Sequence, residues 1–183
     1  AARLCGTGEG GGVTLADLIA PFDRSKFINQ YWENEPLHIC GREPKLFHEL
    51  LSTSALENIL FYCRPRSPDL RVIQEQVELS CSRYERADGA LDLNALYKAF
   101  DEGATFIVNG IERFHPPLAA LRRDLESDLD FQVVTNAYFS PPNSRGLHPH
   151  FDTHDVFVLQ IEGEKEWRLF GSAQDLPLLG AFQ

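Results

Sequence analysis

The chain has 183 residues, 43% of them hydrophobic, which is enough to bury the core of one domain. Its 17 basic and 27 acidic residues give a net charge of −10 at pH 7. This charge argues against direct nucleic-acid binding, which needs basic patches. The negative surface either steers a basic protein partner toward the molecule or only keeps it in solution.

The cysteines and the hydropathy pattern exclude further classes of protein. Cys5, Cys40, Cys63 and Cys81 never stand at Cys-x-x-Cys spacing, so we expect reduced thiols rather than a disulfide framework. No run of 18 apolar residues and no basic stretch followed by an apolar one occurs, so we expect neither a membrane span nor a signal peptide. These features predict a cytoplasmic protein.

Helical patterns dominate the first 130 residues. Residues 1–12 are rich in glycine, which predicts a flexible N-terminus, and residues 13–130 are predicted to form a helix-rich part. In chain order the patterns predict helices over 14–19 and 27–32, a short strand over 37–39, and a helix to 61 with a capping box of Ser54 and Glu57. A strand over 70–77 and a helix over 93–100, begun by Asp92, are predicted next. A strand over 105–108 and a helix from Pro116 to about 125 follow.

After residue 130 the pattern changes from helices to strands. Residues 131–139 favour β-structure, 141–146 are rich in turn residues, and 155–161 read as a strongly apolar strand. The sequence Glu162-Gly163-Glu164 predicts a turn, after which residues 165–170 return as a second arm. Helices followed by strands predict an α+β fold in which residues 131–183 hold the first strands of an unfinished sheet.

The segment His150-Phe151-Asp152 has the clearest chemical meaning. In a strand, side chains two positions apart project to the same side, which places an imidazole beside a carboxylate. Such a pair supplies two of the three protein donors of a facial Fe(II) site. The alternative is a surface histidine near a turn.

Lys165 stands on the arm that follows the predicted turn. It shares one side of that arm with Trp167 and Leu169, whereas the other side is plainly solvated and carries Glu164, Glu166 and Arg168. An ammonium that points inward requires an anion, either a protein carboxylate or the carboxylate of a ligand. The alternative is that Lys165 reaches water at the mouth of the hairpin.

Asn136 and Tyr138 have matching parity on the preceding predicted strand. They are predicted to face the same cavity as the His-x-Asp pair, or else to lie on the wet face of an edge strand. Among the other histidines, His148 and His154 flank the pair without a clear role, and we expect the isolated ones to be structural (His38, His48 and His115).

These residues resemble a known family. The stretch from Asn136, NAYFSPPNSRGLHPHFDTHDVFVLQIEGEKEWRLF, is similar to the JmjC-type, cupin-like 2-oxoglutarate oxygenases that hydroxylate ribosomal proteins. Fainter similarity extends to Tyr31-Trp32-Glu33 with Pro36-Leu37, and to GATFIVNGIERFHPP at 103–117. The resemblance implies a double-stranded β-helix, the jelly-roll barrel, preceded by packed helices.

The resemblance also implies roles for individual residues. His150 and Asp152 are expected to bind Fe(II), and Lys165 to bind the distal carboxylate of the cosubstrate 2-oxoglutarate. Asn136 matches a residue near the iron and the cosubstrate, and Tyr138 matches one that lines the substrate groove. The implied activity is Fe(II)- and 2-oxoglutarate-dependent hydroxylation of a basic protein substrate, with a side chain of a ribosomal protein as the expected target.

One departure from the family pattern affects the expected site. The family's third iron ligand is a histidine on a later strand, and no histidine follows His154. We expect the chain to stop before that ligand, and before the regions through which family members form homodimers. The alternatives are an oxygenase acting on a small molecule or peptide, and an inactive cupin-like binding module.

Overall fold

The computed structural model describes residues 12–43, 46–145 and 147–171. The predicted flexible N-terminus, apart from Gly12, and residues 172–183 of the predicted sheet part lie outside these ranges. The described α-helices are α1 (Leu15–Ile19), α2 (Arg24–Gln30), α3 (Thr53–Asn58), α4 (Leu93–Asp101) and α5 (Pro116–Leu129). The described strands are β1 (Leu70–Gln74), β2 (Val77–Glu78), β3 (Thr105–Val108) and β4 (Ala137–Phe139).

Polar side chains cap α1 and α4, and the start of α4 at Asp92 is as predicted. Thr14 forms a capping box with Asp17 at α1, and the Asp92 carboxylate accepts a hydrogen bond from the backbone N–H of Ala95 at α4. The prediction that Ser54 begins the third helix is wrong. Ser52, in extended conformation, accepts from the Ala55 N–H at 3.2 Å, so Ser54 already lies within the first turn.

The four strands form one antiparallel sheet in the order β2-β1-β3-β4. The prediction of a single strand over 70–77 is wrong, because the chain reverses at Glu75 and Gln76 to make the β1–β2 hairpin. Both residues have positive φ, 50° and 66°, as a two-residue turn of type I′ requires. The predicted strand over 105–108 is confirmed as β3.

One face of this sheet forms the hydrophobic core with α4. Val72, Phe106 and Phe139 lie opposite one another in register, so their side chains share that face. The ring of Phe100 on α4 packs at 5.2 Å between centroids from Phe106, and stacks at 4.6 Å on Phe139. Apolar side chains of the helices complete the same core cluster.

Phe106→Ala should lower the free energy of unfolding by about 3–5 kcal/mol, because it removes a fully buried ring from a packed core. Urea unfolding followed by far-ultraviolet circular dichroism measures this change. Phe61→Ala is the control, because Phe61 is 50% exposed and its removal should cost less than about 1 kcal/mol. Equal losses in the two variants would contradict this account of the core.

The strands predicted around His150 and Asp152, and the short one over 37–39, are corrected by the structure. Within the described residues, 37–39, 155–161 and 165–170 form no strand ladder, and of 131–139 only β4 does. Half-buried side chains still alternate at Phe157, Leu159 and Ile161, so the two-residue period is retained without a hydrogen-bonded partner. The α+β arrangement is confirmed, whereas the described strands do not close into a barrel.

The helices of the described part are all too short or too polar to cross a membrane.

Candidate functional site

The second face of the sheet carries Tyr138. Its register partner on β3 is Ile107, which lies opposite Arg71 on β1, so the three side chains share one face. Ile107 is buried, whereas Tyr138 on the edge strand β4 is 51% exposed. The phenol ring therefore stands on the sheet with one side open for contacts from the segment that follows.

Asn136 holds the start of β4 against the turn that precedes α5. Its side-chain oxygen accepts a hydrogen bond from the Gly110 N–H at 3.1 Å, and the adjacent Thr135 carbonyl accepts from the Ile111 N–H at 2.9 Å. The buried Glu112 carboxylate accepts from the Thr135 N–H at 3.1 Å. Asn136 is exposed, as Tyr138 is, but its side-chain oxygen is engaged with the Gly110 turn.

His150 and Asp152 lie side by side. The His150 Nε2 atom is 4.0 Å from the Asp152 Oδ1 atom, and the two side chains are 52% and 44% exposed. The His150 Nδ1 atom lies 2.8 Å from the His148 carbonyl oxygen. A carbonyl can only accept, so Nδ1 is the donor in this contact and Nε2 is the ring nitrogen that lies near the carboxylate.

The donor set of this pair fits a divalent transition metal. Imidazole nitrogen with carboxylate oxygen is the ligand chemistry of non-heme iron sites, and an Nδ1–H bonded to a carbonyl commonly orients a metal-binding histidine. Adjacent donors at about 2.1 Å from one octahedral ion lie about 3 Å apart. The pair would have to close by about 1 Å, which the half-exposed side chains allow. Residues 12–43, 46–145 and 147–171 contain no cluster of three such donors.

Lys165 lies between two aromatic rings. Its Nζ atom is 5.4 Å from the ring centroid of Tyr138 and 5.3 Å from that of Trp167, both within the range of a cation–π contact. Although much of the side chain is exposed, desolvation lowers the pKa of Lys165 below the ordinary lysine value. Lys165 contacts the ring of Trp167 two positions farther along, but Trp167 and Leu169 are 55% and 69% exposed, so the described part of the chain does not bury the side of the arm that was predicted to face inward.

Tyr138 connects Lys165 to the pair of His150 and Asp152. Desolvation is the main cause that raises its pKa, and the negative charge of Asp152 raises it further, while Arg71 opposes both. Tyr138 thus lies in the field of Asp152 and in contact with Lys165. Of the predicted site residues, His150, Asp152, Tyr138 and Lys165 are brought to one region, whereas the Asn136 oxygen bonds elsewhere.

The other predictions about this segment have mixed outcomes. The solvated side is as expected, since Arg168 pairs with Glu166 at 2.7 Å and both are about three-quarters exposed. His148 contributes its backbone carbonyl rather than its ring. Sequence reasoning missed Glu162, whose carboxylate accepts two hydrogen bonds from Thr53. The sequence shows Glu162 only as a carboxylate in a predicted turn, and that pattern is equally typical of a residue that faces solvent.

Comparison with known proteins shows which proteins the chain is similar to. Residues 111–178 match the family described as JmjC domain. "Ribosomal oxygenase 2" of Rattus norvegicus is 32% identical over 167 residues, which are 84% of this chain and 33% of that protein. "Bifunctional lysine-specific demethylase and histidyl-hydroxylase NO66" of Drosophila pseudoobscura pseudoobscura is 28% identical over 180 residues, 92% of this chain and 18% of that protein.

The resemblance to JmjC-type ribosomal oxygenases is confirmed. The matched JmjC segment begins at the turn before α5 and includes β4, the His-x-Asp pair and Lys165. A protein from Aedes aegypti has the same name as the Drosophila protein. It is 26% identical over 169 residues, which are 90% of this chain and 26% of that protein. The chain thus spans only about a fifth to a third of these JmjC relatives.

Proposed function

We propose that this chain carries the metal and cosubstrate site of an Fe(II)- and 2-oxoglutarate-dependent protein hydroxylase. One observation supports this most directly: Tyr138 lies in the field of Asp152, which stands beside His150, and also contacts the Lys165 ammonium. A carboxylate–imidazole pair and a desolvated cation beside one aromatic ring suit a metal and a dianionic cosubstrate. The JmjC match over the same segment agrees with this reading.

In this proposal each side chain has a distinct task. His150 would present the free Nε2 lone pair and Asp152 a carboxylate oxygen to Fe(II), with the His148 carbonyl holding the imidazole in the required tautomer. When bound, Fe(II) would couple the oxidative decarboxylation of 2-oxoglutarate by O2 to hydroxylation of a substrate C–H bond. Lys165 would bind the distal carboxylate of 2-oxoglutarate, since a partly desolvated ammonium gains much from an anionic partner.

The aromatic and amide side chains would complete the pocket. The rings of Tyr138 and Trp167 flank Lys165 and would limit the access of water to its contact with 2-oxoglutarate. Tyr138, half-exposed on the edge strand, would line the substrate groove. Asn136 would keep β4 in place through Gly110, and its amide NH2 would be the group that remains for the cosubstrate.

We extend the proposal to the architecture of the protein. Residues 131–183 would supply the first strands of a jelly-roll barrel, and residues 13–130 the helix-rich part that packs against it. The apolar residues exposed between Phe151 and Phe170 suit strands that are covered on both faces in a complete barrel. We also propose a cytoplasmic location and a homodimer formed through regions outside this chain.

The proposed substrate is a basic ribosomal protein, hydroxylated on an arginine or histidine side chain. The net charge of −10 favours encounter with a basic partner. The names of the relatives, "ribosomal oxygenase" and "histidyl-hydroxylase", indicate the same class of target for those proteins.

Mass spectrometry of ribosomal proteins tests this proposal. Ribosomes from cells that contain the protein should carry one ribosomal protein with a single added oxygen on an arginine or histidine, and cells without it should lack the modification. Restoring the wild-type protein should restore the oxygen, whereas the Asp152→Ala variant should not. If 2-oxoglutarate is consumed but no ribosomal protein gains oxygen, the substrate is a small molecule or another peptide. If neither occurs, the chain is a binding module.

A further inference from the structure

We propose that Glu162 is a positioning residue, which sets the place of Lys165 by fastening the turn of the metal-bearing segment to the start of α3. The inference rests on the proposed function, because it concerns the binding of 2-oxoglutarate. Glu162 and Thr53 are 109 positions apart in the chain. The Glu162 carboxylate nevertheless accepts the Thr53 backbone N–H at 2.9 Å and the Thr53 hydroxyl at 2.7 Å.

The α3 side of this contact is suited to a carboxylate. Thr53 is the first residue of α3, and an N–H in the first turn has no acceptor within its own helix. The partial positive charge at this end favours an anion, and the two hydrogen bonds from Thr53 lower the pKa of Glu162. The imidazole of His48 also lies near this carboxylate, with its Nε2 atom 4.0 Å from a Glu162 oxygen. Ser52 caps the helix independently, so α3 does not depend on Glu162 for its start.

The turn side of the contact has a defined shape. The Glu162 carbonyl accepts a hydrogen bond from the Gln160 side-chain amide at 2.8 Å. Gly163 follows with φ of +69°, a conformation that other residues rarely adopt. Lys165 is only two residues farther along, so movement of the turn moves the lysine backbone directly.

The Glu162–Thr53 contact is important because the segments before and after the turn are not hydrogen-bonded to each other as strands. In the described part of the chain, residues 155–161 and 165–170 are joined by no strand ladder that could set their register. The arm before the turn has its own anchor, since Phe157 packs at 5.9 Å between ring centroids from Phe27 of α2. Beyond the turn, the Lys165 ammonium contacts, among the described residues, the rings of Tyr138 and Trp167. The Glu162–Thr53 contact therefore constrains Lys165 more than it constrains the metal-ligand pair.

A purely structural role would have a different consequence. Glu162 is 46% exposed, and exposed charge contacts usually contribute little to stability. If the contact only added stability, its removal would leave the binding of metal and 2-oxoglutarate equally unaffected. A positioning role instead predicts that 2-oxoglutarate affinity falls while metal affinity does not.

Binding measurements on the intact protein under anaerobic conditions separate these roles. Glu162→Ala and Thr53→Val should each weaken 2-oxoglutarate binding to the Fe(II)-loaded protein by roughly 3- to 10-fold, the worth of one or two hydrogen bonds. Fe(II) affinity should change by less than about 2-fold, since His150 and Asp152 precede the turn and that arm keeps the packing of Phe157 on Phe27. The double variant should lose no more than Glu162→Ala, because Thr53→Val removes only the hydroxyl bond of a contact that Glu162→Ala removes completely.

Two further variants and a structural readout complete the test. Glu162→Gln keeps an acceptor but loses the charge and should fall between wild type and Glu162→Ala, whereas Glu164→Ala on the same turn should bind 2-oxoglutarate as wild type does. Hydrogen exchange of the metal-free protein should quicken at residues 162–165 in Glu162→Ala and not in Glu164→Ala. Unchanged 2-oxoglutarate affinity in Glu162→Ala, or an equal fall of Fe(II) affinity, would overturn the positioning role.

The wild-type and Lys165→Ala proteins separate failure of this inference from failure of the proposed function. If wild type binds 2-oxoglutarate and Lys165→Ala loses it, the proposed function stands whatever Glu162 does. If wild type binds no 2-oxoglutarate at all, the proposed function fails first and the positioning role fails with it.

Discussion

Asp152→Ala should weaken Fe(II) binding by more than about 100-fold and abolish the formation of succinate from 2-oxoglutarate. The variant removes one of the two donors that stand 4.0 Å apart in the described part of the site. Loss of a supporting group around a metal costs roughly 10- to 100-fold in affinity, so loss of a ligand should cost more. Anaerobic equilibrium dialysis with Fe(II) measures the affinity, and succinate release measures the turnover.

Asp155→Ala is the matched control for the metal assignment. Asp155 lies three residues away, is exposed, and uses only its backbone carbonyl in the contact with His154. This variant should bind Fe(II) and release succinate as wild type does. Turnover that survives in Asp152→Ala would show that iron is held elsewhere.

Lys165→Ala should raise the KM for 2-oxoglutarate by about 10- to 100-fold, because it removes a charge-assisted hydrogen bond to the distal carboxylate. Fe(II) affinity should be retained, since Lys165 is not among the metal donors. Initial rates of succinate release over a range of 2-oxoglutarate concentrations measure the effect. Lys98→Ala is the control, because Lys98 is an exposed lysine on α4 that pairs with Glu102.

The same site should respond to pH in a defined direction. Desolvation lowers the pKa of Lys165, so its ammonium loses the proton at a lower pH than an ordinary lysine. The KM for 2-oxoglutarate in wild type should therefore be lowest below that pKa and rise as pH increases through it. Lys165→Arg, which stays charged, should show no such rise. A KM unchanged by both Lys165→Ala and alkaline pH would count against the anion-binding role.

The predicted starts of α4 and α5 agree with the structure because their signals are local, whereas α2 was predicted over 27–32 and spans Arg24–Gln30. Asp92 begins α4, and Pro116 begins α5, each through chemistry within one turn of the residue concerned. The hairpin at Glu75 and Gln76 was missed because neither residue is a typical turn former, although both adopt positive φ. Its apolar flanks, β1 and β2, read as one continuous strand.

The predicted site agrees with the structure to a lesser extent. Two-residue parity suffices to place Lys165 with Trp167 and His150 with Asp152, because it depends on backbone direction alone. Parity also puts Asn136 on the side of Tyr138, but it cannot reveal that the Gly110 N–H occupies the asparagine oxygen. That contact joins two segments 26 positions apart, and no local pattern encodes it.

The sequence by itself determined the starts of α4 and α5, the α+β order, the His-x-Asp pair and the family resemblance, because each depends on residues close together in the chain. Only the tertiary structure decided which distant groups meet: Tyr138 with Lys165, the Asn136 oxygen with Gly110, and Glu162 with the first residue of α3. Strands over 155–170 could not be settled from their apolar pattern, since a strand exists only when another segment supplies its hydrogen bonds. Long-range pairing is a property of the packed chain, and the side-chain pattern of one segment does not contain it.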